Sequence, residues 1–166
     1  MTRSRTAVLC ALLALALAAT GCGIRPTGVT DGGTAPSGIS NGMRVYFASD
    51  NGPRGVSRPG VTVDQLDDVF KLLAGGPTAG ERANGLANLV PEDAGFHATS
   101  TRGLVTLRAT GSFVASPQDQ RTGQLVCTLA RAEVLIHGTR PDKVQVTLVG
   151  DEGRAGPYQC QQFLQR

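Results

Sequence analysis

The sequence predicts an α+β fold, a two-layer βαββαβ sandwich with two helices on one face of a mixed sheet. Three observations support this class. Four segments alternate apolar and polar residues as half-buried strands do, two segments space apolar residues at the period of a helix, and turn-forming residues separate them. Because every predicted strand alternates, the sheet should bury one face under both helices and leave its other face open to water.

The first predicted strand covers residues 43–49. Its apolar side chains alternate with Arg44 and Tyr46, which places these two residues on the open face of the sheet. Residues 54–61 are expected to form at best a short edge strand, because Pro59 lacks the N–H group that a central strand needs.

The first predicted helix begins at Thr62, since Thr62 and Gln65 have the spacing of a capping box. The Gly-Gly-Pro sequence of residues 75–77 ends it. The apolar stripe that this helix should bury consists of Val63, Leu66, Val69, Phe70 and Leu73. Residues 78–90 show only a short and irregular apolar pattern.

The second half of the domain is predicted to contain a hairpin, a helix and a final strand. Residues 95–101 and 103–109 alternate and are separated by a short turn that contains glycine. A helix is expected over residues 117–136, although Gly123 weakens its first half. Residues 143–149 alternate again and predict the last strand.

The N-terminus has the features of a lipoprotein signal peptide over residues 1–21. Arg3 and Arg5 give a positive start, and the apolar run of residues 7–19 is short for a membrane span. Small residues then precede Cys22, in a pattern that resembles the bacterial lipobox. The resemblance implies acylation of Cys22 and a lipid-anchored location at the cell membrane, on its extracytoplasmic side. An ordinary secretory peptide with a free Cys22 is the alternative.

The exported part of the chain divides into three segments. Residues 22–42 are rich in Gly, Pro, Ser and Thr and are predicted to form a flexible tether. The domain is expected at residues 43–150, followed by a C-terminal extension at residues 151–166. In an oxidising compartment, Cys127 and Cys160 predict a disulfide that holds the extension to the domain. Two free thiols are the alternative.

Charge and composition exclude several classes of partner. Arg3 and Arg5 leave with the signal peptide, so the 16 Lys and Arg fall to 14 against 13 Asp and Glu, and the formal charge falls from +3 to +1. A nearly neutral domain does not predict nucleic acid binding. The chain has no Trp and 4% aromatic residues, which disfavours a broad stacking surface for sugars or bases.

Several short motifs appear in a fixed order along residues 43–150. They are Arg44-Val45-Tyr46-Phe47, Leu72-Leu73-Ala74-Gly75-Gly76-Pro77-Thr78 with Glu81 and Gly85-Leu86, Pro91, Gly103-Leu104-Val105-Thr106-Leu107, Phe113, and Gln124-Leu125-Val126-Cys127-Thr128-Leu129. In these motifs the chain resembles the GerMN domain family of spore-germination proteins and cell-surface lipoproteins. The resemblance implies a fold similar to the ring-building modules of secretion and sporulation assemblies, and it supplies no catalytic residue.

Motifs that could carry chemistry have simpler structural interpretations. Residues 38–42 match G-x-S-x-G, but they lie in the predicted tether and not at a strand-to-helix turn. His97 and His137 lack partners at metal-ligand spacing, so we expect His97 to point into solvent and His137 to favour the end of a helix. The carboxylates of residues 67–68 and 92–93 are expected to be solvated. We therefore predict a protein that is not an enzyme, with no metal and no cofactor.

The open face of the predicted sheet is the candidate binding surface. It has two arginines, one tyrosine and no carboxylate, which suggests docking of a protein or of an anionic envelope polymer. An ordinary hydrated face is the alternative. The residues of this candidate binding face are Arg44, Tyr46, His97, Thr99, Thr106, Arg108, Gln145 and Thr147.

The sequence hypothesis is a non-catalytic, lipid-anchored cell-envelope protein whose domain acts as a protein-binding or assembly module. Its expected partners are the membrane, through Cys22, and envelope proteins or further copies of the chain, but not nucleic acid. The alternative is an extracytoplasmic binding protein for a wall polymer or a small ligand. That alternative predicts a concave pocket, whereas assembly predicts a flat face.

Overall fold

A computed structural model describes residues 42–91, 95–110 and 114–164. Cys22, the predicted signal peptide and nearly all of the predicted tether lie outside these ranges, as do Glu92, Asp93 and Phe113. The helices are α1 (Asp68–Ala74), α2 (Ala79–Ala83), α3 (Gln120–His137) and α4 (Gln161–Leu164). The strands are β1 (Met43–Phe47), β2 (Arg54–Arg58), β3 (Gly95–Thr101), β4 (Leu104–Thr110), β5 (Gln145–Gly150) and β6 (Gly153–Tyr158). The predicted α+β class is confirmed.

The strands form two sheets. The main sheet has the order β3-β4-β5-β6 and is mixed, since β4 and β5 are parallel while its other neighbours are antiparallel. Helix α3 makes the connection between the two parallel strands, which cannot be joined by a tight turn. The second sheet is the antiparallel pair β1-β2. The expectation that all predicted strands share one sheet is therefore corrected, because β1 lies outside the main sheet.

Helix α3 is the central element of the domain. Every residue from Thr122 to Ala130 is buried, which is more than the single stripe of a surface helix. The reason is that β1 packs along α3, while β4, β5, α1 and α4 contact it as well. The helix begins after Asp119, whose carboxylate accepts the N–H of Arg121, and ends at Gly138 in the left-handed conformation. The predicted helix over residues 117–136 is thus confirmed within a few residues.

Polar side chains of α3 explain why β1 does not join the main sheet. The N–H of Tyr46 donates to Oγ1 of Thr128 at 3.0 Å, and the N–H of Ser49 just after β1 donates to Oε1 of Gln120 at 3.1 Å. On its other side β1 pairs with β2. A strand pairs with a new neighbour through backbone N–H and C=O groups that are still unbonded at its edge. The side chains of α3 already bind such groups on the edge of β1 that faces away from β2.

The first helix starts later than the sequence predicted. Thr62 does not open it; α1 begins at Asp68 instead. The Asp68 carboxylate accepts the N–H groups of Asp64 and Gln65, both at 3.3 Å, so the residues before the helix fold into a turn. A capping box does form at the next helix, α2, within the segment that showed only an irregular pattern.

The C-terminal segment belongs to the same core as the rest of the domain. Strand β6 extends the main sheet beyond β5, and Phe163 of α4 is only 2% exposed. The predicted disulfide is confirmed: Cys127 of α3 and Cys160 are bonded, with their Cα atoms 4.6 Å apart. The predicted extension therefore supplies a strand and a core side chain.

Gly123 of α3 is expected to be required for close packing. A Cβ atom there would lie 2.7 Å from Cγ of Pro53 and 2.8 Å from Cδ1 of Phe163. Gly123→Ala should lower the free energy of unfolding by about 1–3 kcal/mol through overpacking, although alanine is about 1 kcal/mol better in a helix. Urea unfolding measures the change. The control is Gly80→Ala in α2, where nothing lies within 4 Å and no loss is expected. A Gly123→Ala protein as stable as the wild type would contradict the packing argument.

Candidate functional site

The open face of the main sheet brings together six of the eight residues predicted to bind. Cross-strand partners share a face of a sheet, so the strand register defines its members. Thr99 pairs with Thr106, which in turn pairs with Thr147, and His97 pairs with Arg108. We use the term open face for His97, Thr99, Leu104, Thr106, Arg108, Gln145, Thr147, Val149 and Arg154. The alternate positions of these strands face the core.

Arg154 is a member of the open face that the sequence did not reveal. Arg108 pairs with Val149, and Val149 pairs with Arg154, so the two arginines lie on either side of one half-buried valine. Strand β6 has the sequence Gly-Arg-Ala-Gly-Pro-Tyr, whose glycines and proline hide any apolar alternation. Only its pairing with β5 places Arg154 on this surface.

Arg108 and Arg154 make the open face cationic. Both are exposed, and no carboxylate in the described part of the chain forms an ion pair with either of them. Leu104, 57% exposed, and Val149 add apolar area to the same face. The face therefore combines a small positive charge with hydroxyl and apolar groups.

His97 and Asp67 correct two expectations from the sequence. His97 does not simply point into solvent, since its Nδ1 lies 2.7 Å from Oδ2 of Asp67. Asp67 is not merely solvated either, because its Oδ1 accepts the N–H of Ala98 at 2.7 Å. That N–H points outward from the edge strand β3. At the opposite edge, Pro157 of β6 has no N–H to offer. Strand addition is therefore disfavoured at both edges of the main sheet.

Arg44 and Tyr46 are not on the open face, which corrects the predicted surface. They project from β1, in the separate two-stranded sheet, into a cleft of about 500 Å³. We call this concavity the β1 cleft. Its main polar lining consists of Arg44, Tyr46, Ser49, Asp50, Asn51, Arg54 and Asn84. The predicted binding residues thus fall on two surfaces, the open face of the main sheet and the concave β1 cleft.

The tyrosine of the β1 cleft is positioned by a glycine. Tyr46 pairs with Gly55 of β2, and a Cβ atom at Gly55 would lie only 2.9 Å from Cε1 of Tyr46. The ring of Tyr46 therefore packs against β2 at Gly55, where any side chain in place of the glycine would clash with it. Tyr46 and Leu164 also line a neighbouring cleft of about 360 Å³ beside the disulfide.

The Gly-Pro-Thr motif and its glutamate have a structural role. Arg58 of β2 binds both carboxylate oxygens of Glu81, at 2.6 and 2.8 Å, and lies 5.5 Å from the ring centroid of Phe47. These hydrogen bonds from Arg58 lower the pKa of Glu81 to about 2. Glu81 also completes the capping box with Thr78. The motif thus joins β2 to α2, and its carboxylate is engaged by Arg58 and by the capping box.

The glutamine and threonine of the α3 motif are likewise engaged inside the domain. Gln124 is fully buried; its Oε1 accepts the N–H of Leu89 at 3.1 Å, and its Nε2 donates to Oδ1 of Asn88 at 2.6 Å. Thr128 is also fully buried and, besides accepting the N–H of Tyr46, donates to the carbonyl oxygen of Gln124 at 2.7 Å. These groups hold the segment before β3 and β1 itself to the helix.

A buried carboxylate lies near the end of α3. Glu133 is 1% exposed, with Oε2 located 2.8 Å from Nδ1 of His137 and Oε1 accepting the hydroxyl of Thr139 at 3.0 Å. The i, i+4 spacing of Glu133 and His137 was visible in the sequence and could have predicted this pair. With both oxygens bonded inside the domain, the group serves the fold.

Metal chemistry and membrane insertion find no support in the described ranges. In residues 42–91, 95–110 and 114–164, no cluster of three or more His, Cys, Asp or Glu side chains could hold a metal ion. No helix within the same ranges is long and apolar enough to cross a bilayer. Comparison with known proteins identifies no relative, since no family model, no curated protein and no solved structure matches the chain.

Proposed function

We propose that the chain is a lipid-anchored cell-envelope protein whose domain binds an acidic surface of another protein through the open face. The observation that carries this proposal is the row formed by Arg108, Val149 and Arg154 on the open face, where no carboxylate of the described residues forms an ion pair with either arginine. A surface with complementary negative charge would be drawn to these arginines and oriented by them. The role is binding, without catalysis.

A protein surface fits the open face better than an anionic polymer does. A polymer with a charge on every repeat is best held by many cations, whereas this face has two exposed arginines and a histidine already bonded to Asp67. Thr99, Thr106 and Thr147 form a threonine row across the open face. This row and the exposed side chain of Leu104 offer hydroxyl and apolar contacts of the kind that protein interfaces use. The resemblance to GerMN domains points to the same class of role.

The proposed location rests on the N-terminal pattern and on the disulfide. Disulfides persist mainly outside the cytosol, so the Cys127–Cys160 bond favours an exported domain. Labelling cells with a fatty-acid analogue tests the anchor: the wild type should incorporate the label and Cys22→Ser should not. Label retained by Cys22→Ser would contradict acylation at that residue.

Reversing both arginines of the open face is expected to weaken partner binding strongly. The partner is first identified by cross-linking in intact cells, then purified and titrated with the full chain. Arg108→Glu combined with Arg154→Glu should weaken binding at least tenfold, because each lost charge-assisted contact is worth about 1.5–3 kcal/mol. Rising salt should weaken the wild-type complex.

The matched control carries the same change of charge at the β1 cleft, as Arg44→Glu combined with Arg54→Glu. This control should bind the partner as the wild type does. Equal affinity of the open-face variant and the wild type would reject the proposal. The proposal would also be rejected if the open-face variant lost only its binding to a purified anionic wall polymer, or lost only self-association.

A further inference from the structure

We infer that the β1 cleft is a second binding site, for a small ligand that carries one negative charge, as a carboxylate or a phosphodiester, next to hydroxyl groups. The site is independent of the proposed protein-binding role, because it lies on the two-stranded sheet and shares no residue with the open face. Its volume of about 500 Å³ is within the range of small-molecule sites.

The charge of the cleft selects a single anion. Arg44 and Arg54 contribute two positive charges to the lining and Asp50 contributes one negative charge, which leaves a net charge of +1. Within the described ranges, neither arginine forms an ion pair. Arg44 is half-buried, and a partly desolvated guanidinium without a carboxylate is costly until an anion binds it.

The remaining groups of the cleft suit hydroxyls. No described residue bonds the phenol hydroxyl of Tyr46, since the bond from this residue to Thr128 uses the backbone N–H. The hydroxyl can therefore both donate and accept a hydrogen bond. The Asn84 side chain uses its Nδ2 on the carbonyl of Gly80 and keeps its Oδ1 for a donor. Asn51 adds a further amide to the lining. A hydroxyl-bearing anion would satisfy these groups together with the arginines.

The position of Tyr46 strengthens the inference. Its ring forms part of the wall between the β1 cleft and the neighbouring cleft beside the disulfide, and Gly55 leaves it room to lie against the strand. Both neighbours on the chain are core residues, since Val45 and Phe47 are fully buried. The tyrosine and Arg44, which projects from the same face of β1, are therefore presented from a rigid strand.

Calorimetric titration of the full chain tests the site with glucuronate, glycerophosphoglycerol and neutral glucose. Saturable binding is expected for at least one of the two anions, with glucose at least tenfold weaker. Arg44→Gln and Arg54→Gln should each weaken anion binding about tenfold or more. Tyr46→Phe should weaken it about threefold to tenfold, through loss of one neutral hydrogen bond. The matched control, Arg102→Gln at an exposed position between β3 and β4, should bind these anions as the wild type does.

Binding to vesicles that contain phosphatidylglycerol tests whether the bound anion is a lipid headgroup or a free ligand. The protein carries Cys22→Ser in this experiment, so that no acyl chain contributes to vesicle binding. Vesicle binding that is lost on Arg44→Gln assigns the anion to a lipid. Binding of the soluble anions alone assigns it to a free small molecule. Absence of saturable binding by every probe would overturn the inference, and so would equal weakening of anion binding by Arg102→Gln. Arg54 is exposed, so its variant keeps the test valid if Arg44→Gln does not fold.

Discussion

Removing the Cys127–Cys160 disulfide by Cys127→Ala and Cys160→Ala is expected to lower the free energy of unfolding by about 3–4 kcal/mol. The bond closes a loop across a sequence separation of 33, and a link of that length restricts the unfolded chain by about this amount. It also anchors the segment that places Phe163 in the core. Urea unfolding of the wild type and the double variant measures the difference.

Reductant provides the control for this experiment. Reduced wild type should unfold close to the midpoint of the double variant, and the double variant itself should not respond to reductant. If oxidised and reduced wild type unfold at the same urea concentration, the disulfide does not carry the stability assigned to it.

Replacing Gln124 by leucine is expected to cost about 2–4 kcal/mol of stability. The substitution nearly conserves volume, so the loss would come from two places. The N–H of Leu89 would be left without its acceptor, and Oδ1 of Asn88 would lose the bond from Gln124, worth about 0.5–1.5 kcal/mol, while keeping the N–H of Val90. A partly buried polar group without a hydrogen bond costs about 1–3 kcal/mol. The predicted cost is therefore larger than that of most surface substitutions.

The matched control for Gln124→Leu is Gln161→Leu, at an exposed position of α4, where a change within about 0.5 kcal/mol is expected. Hydrogen exchange adds a local measurement. The amide of Leu89 should exchange faster in Gln124→Leu through local opening. The amide of Leu107 in the centre of the main sheet should be accelerated only as much as the lower free energy of global unfolding requires. Unchanged stability together with unchanged exchange at Leu89 would contradict the role given to Gln124.

Local patterns predicted most elements of this fold but not their assembly. Alternation identified β1, β3, β4 and β5, and apolar spacing identified α3. The bonds that hold β1 to α3 join Tyr46 to Thr128 and Ser49 to Gln120, which are 82 and 71 positions apart, so no local pattern indicates that β1 lies outside the main sheet. Thr62 has the residue type and spacing of a helix cap. The Asp68 carboxylate nevertheless binds the N–H groups of Asp64 and Gln65, so the helix begins only at Asp68.

The candidate site shows the same division between what is local and what is not. Alternation correctly indicated that Arg44 and Arg108 face away from the core, because side chains in a strand alternate whatever the sheet. It could not indicate that the two arginines belong to different sheets. The position of Arg154 could not be predicted, because its strand is rich in Gly and Pro and shows no alternation. The bond between Asp67 and the edge of β3 depends on tertiary structure alone.

Photo-cross-linking in intact cells tests the open face most directly. A photoreactive amino acid is introduced at Thr106, the middle of the threonine row, or at the exposed Ala79 of α2 as a control. We expect Thr106 to yield a cross-link to one envelope protein, at an acidic stretch of its surface, and to lose it when Arg108 and Arg154 are reversed. A partner captured equally from Ala79, or no product from Thr106, would contradict binding through this face.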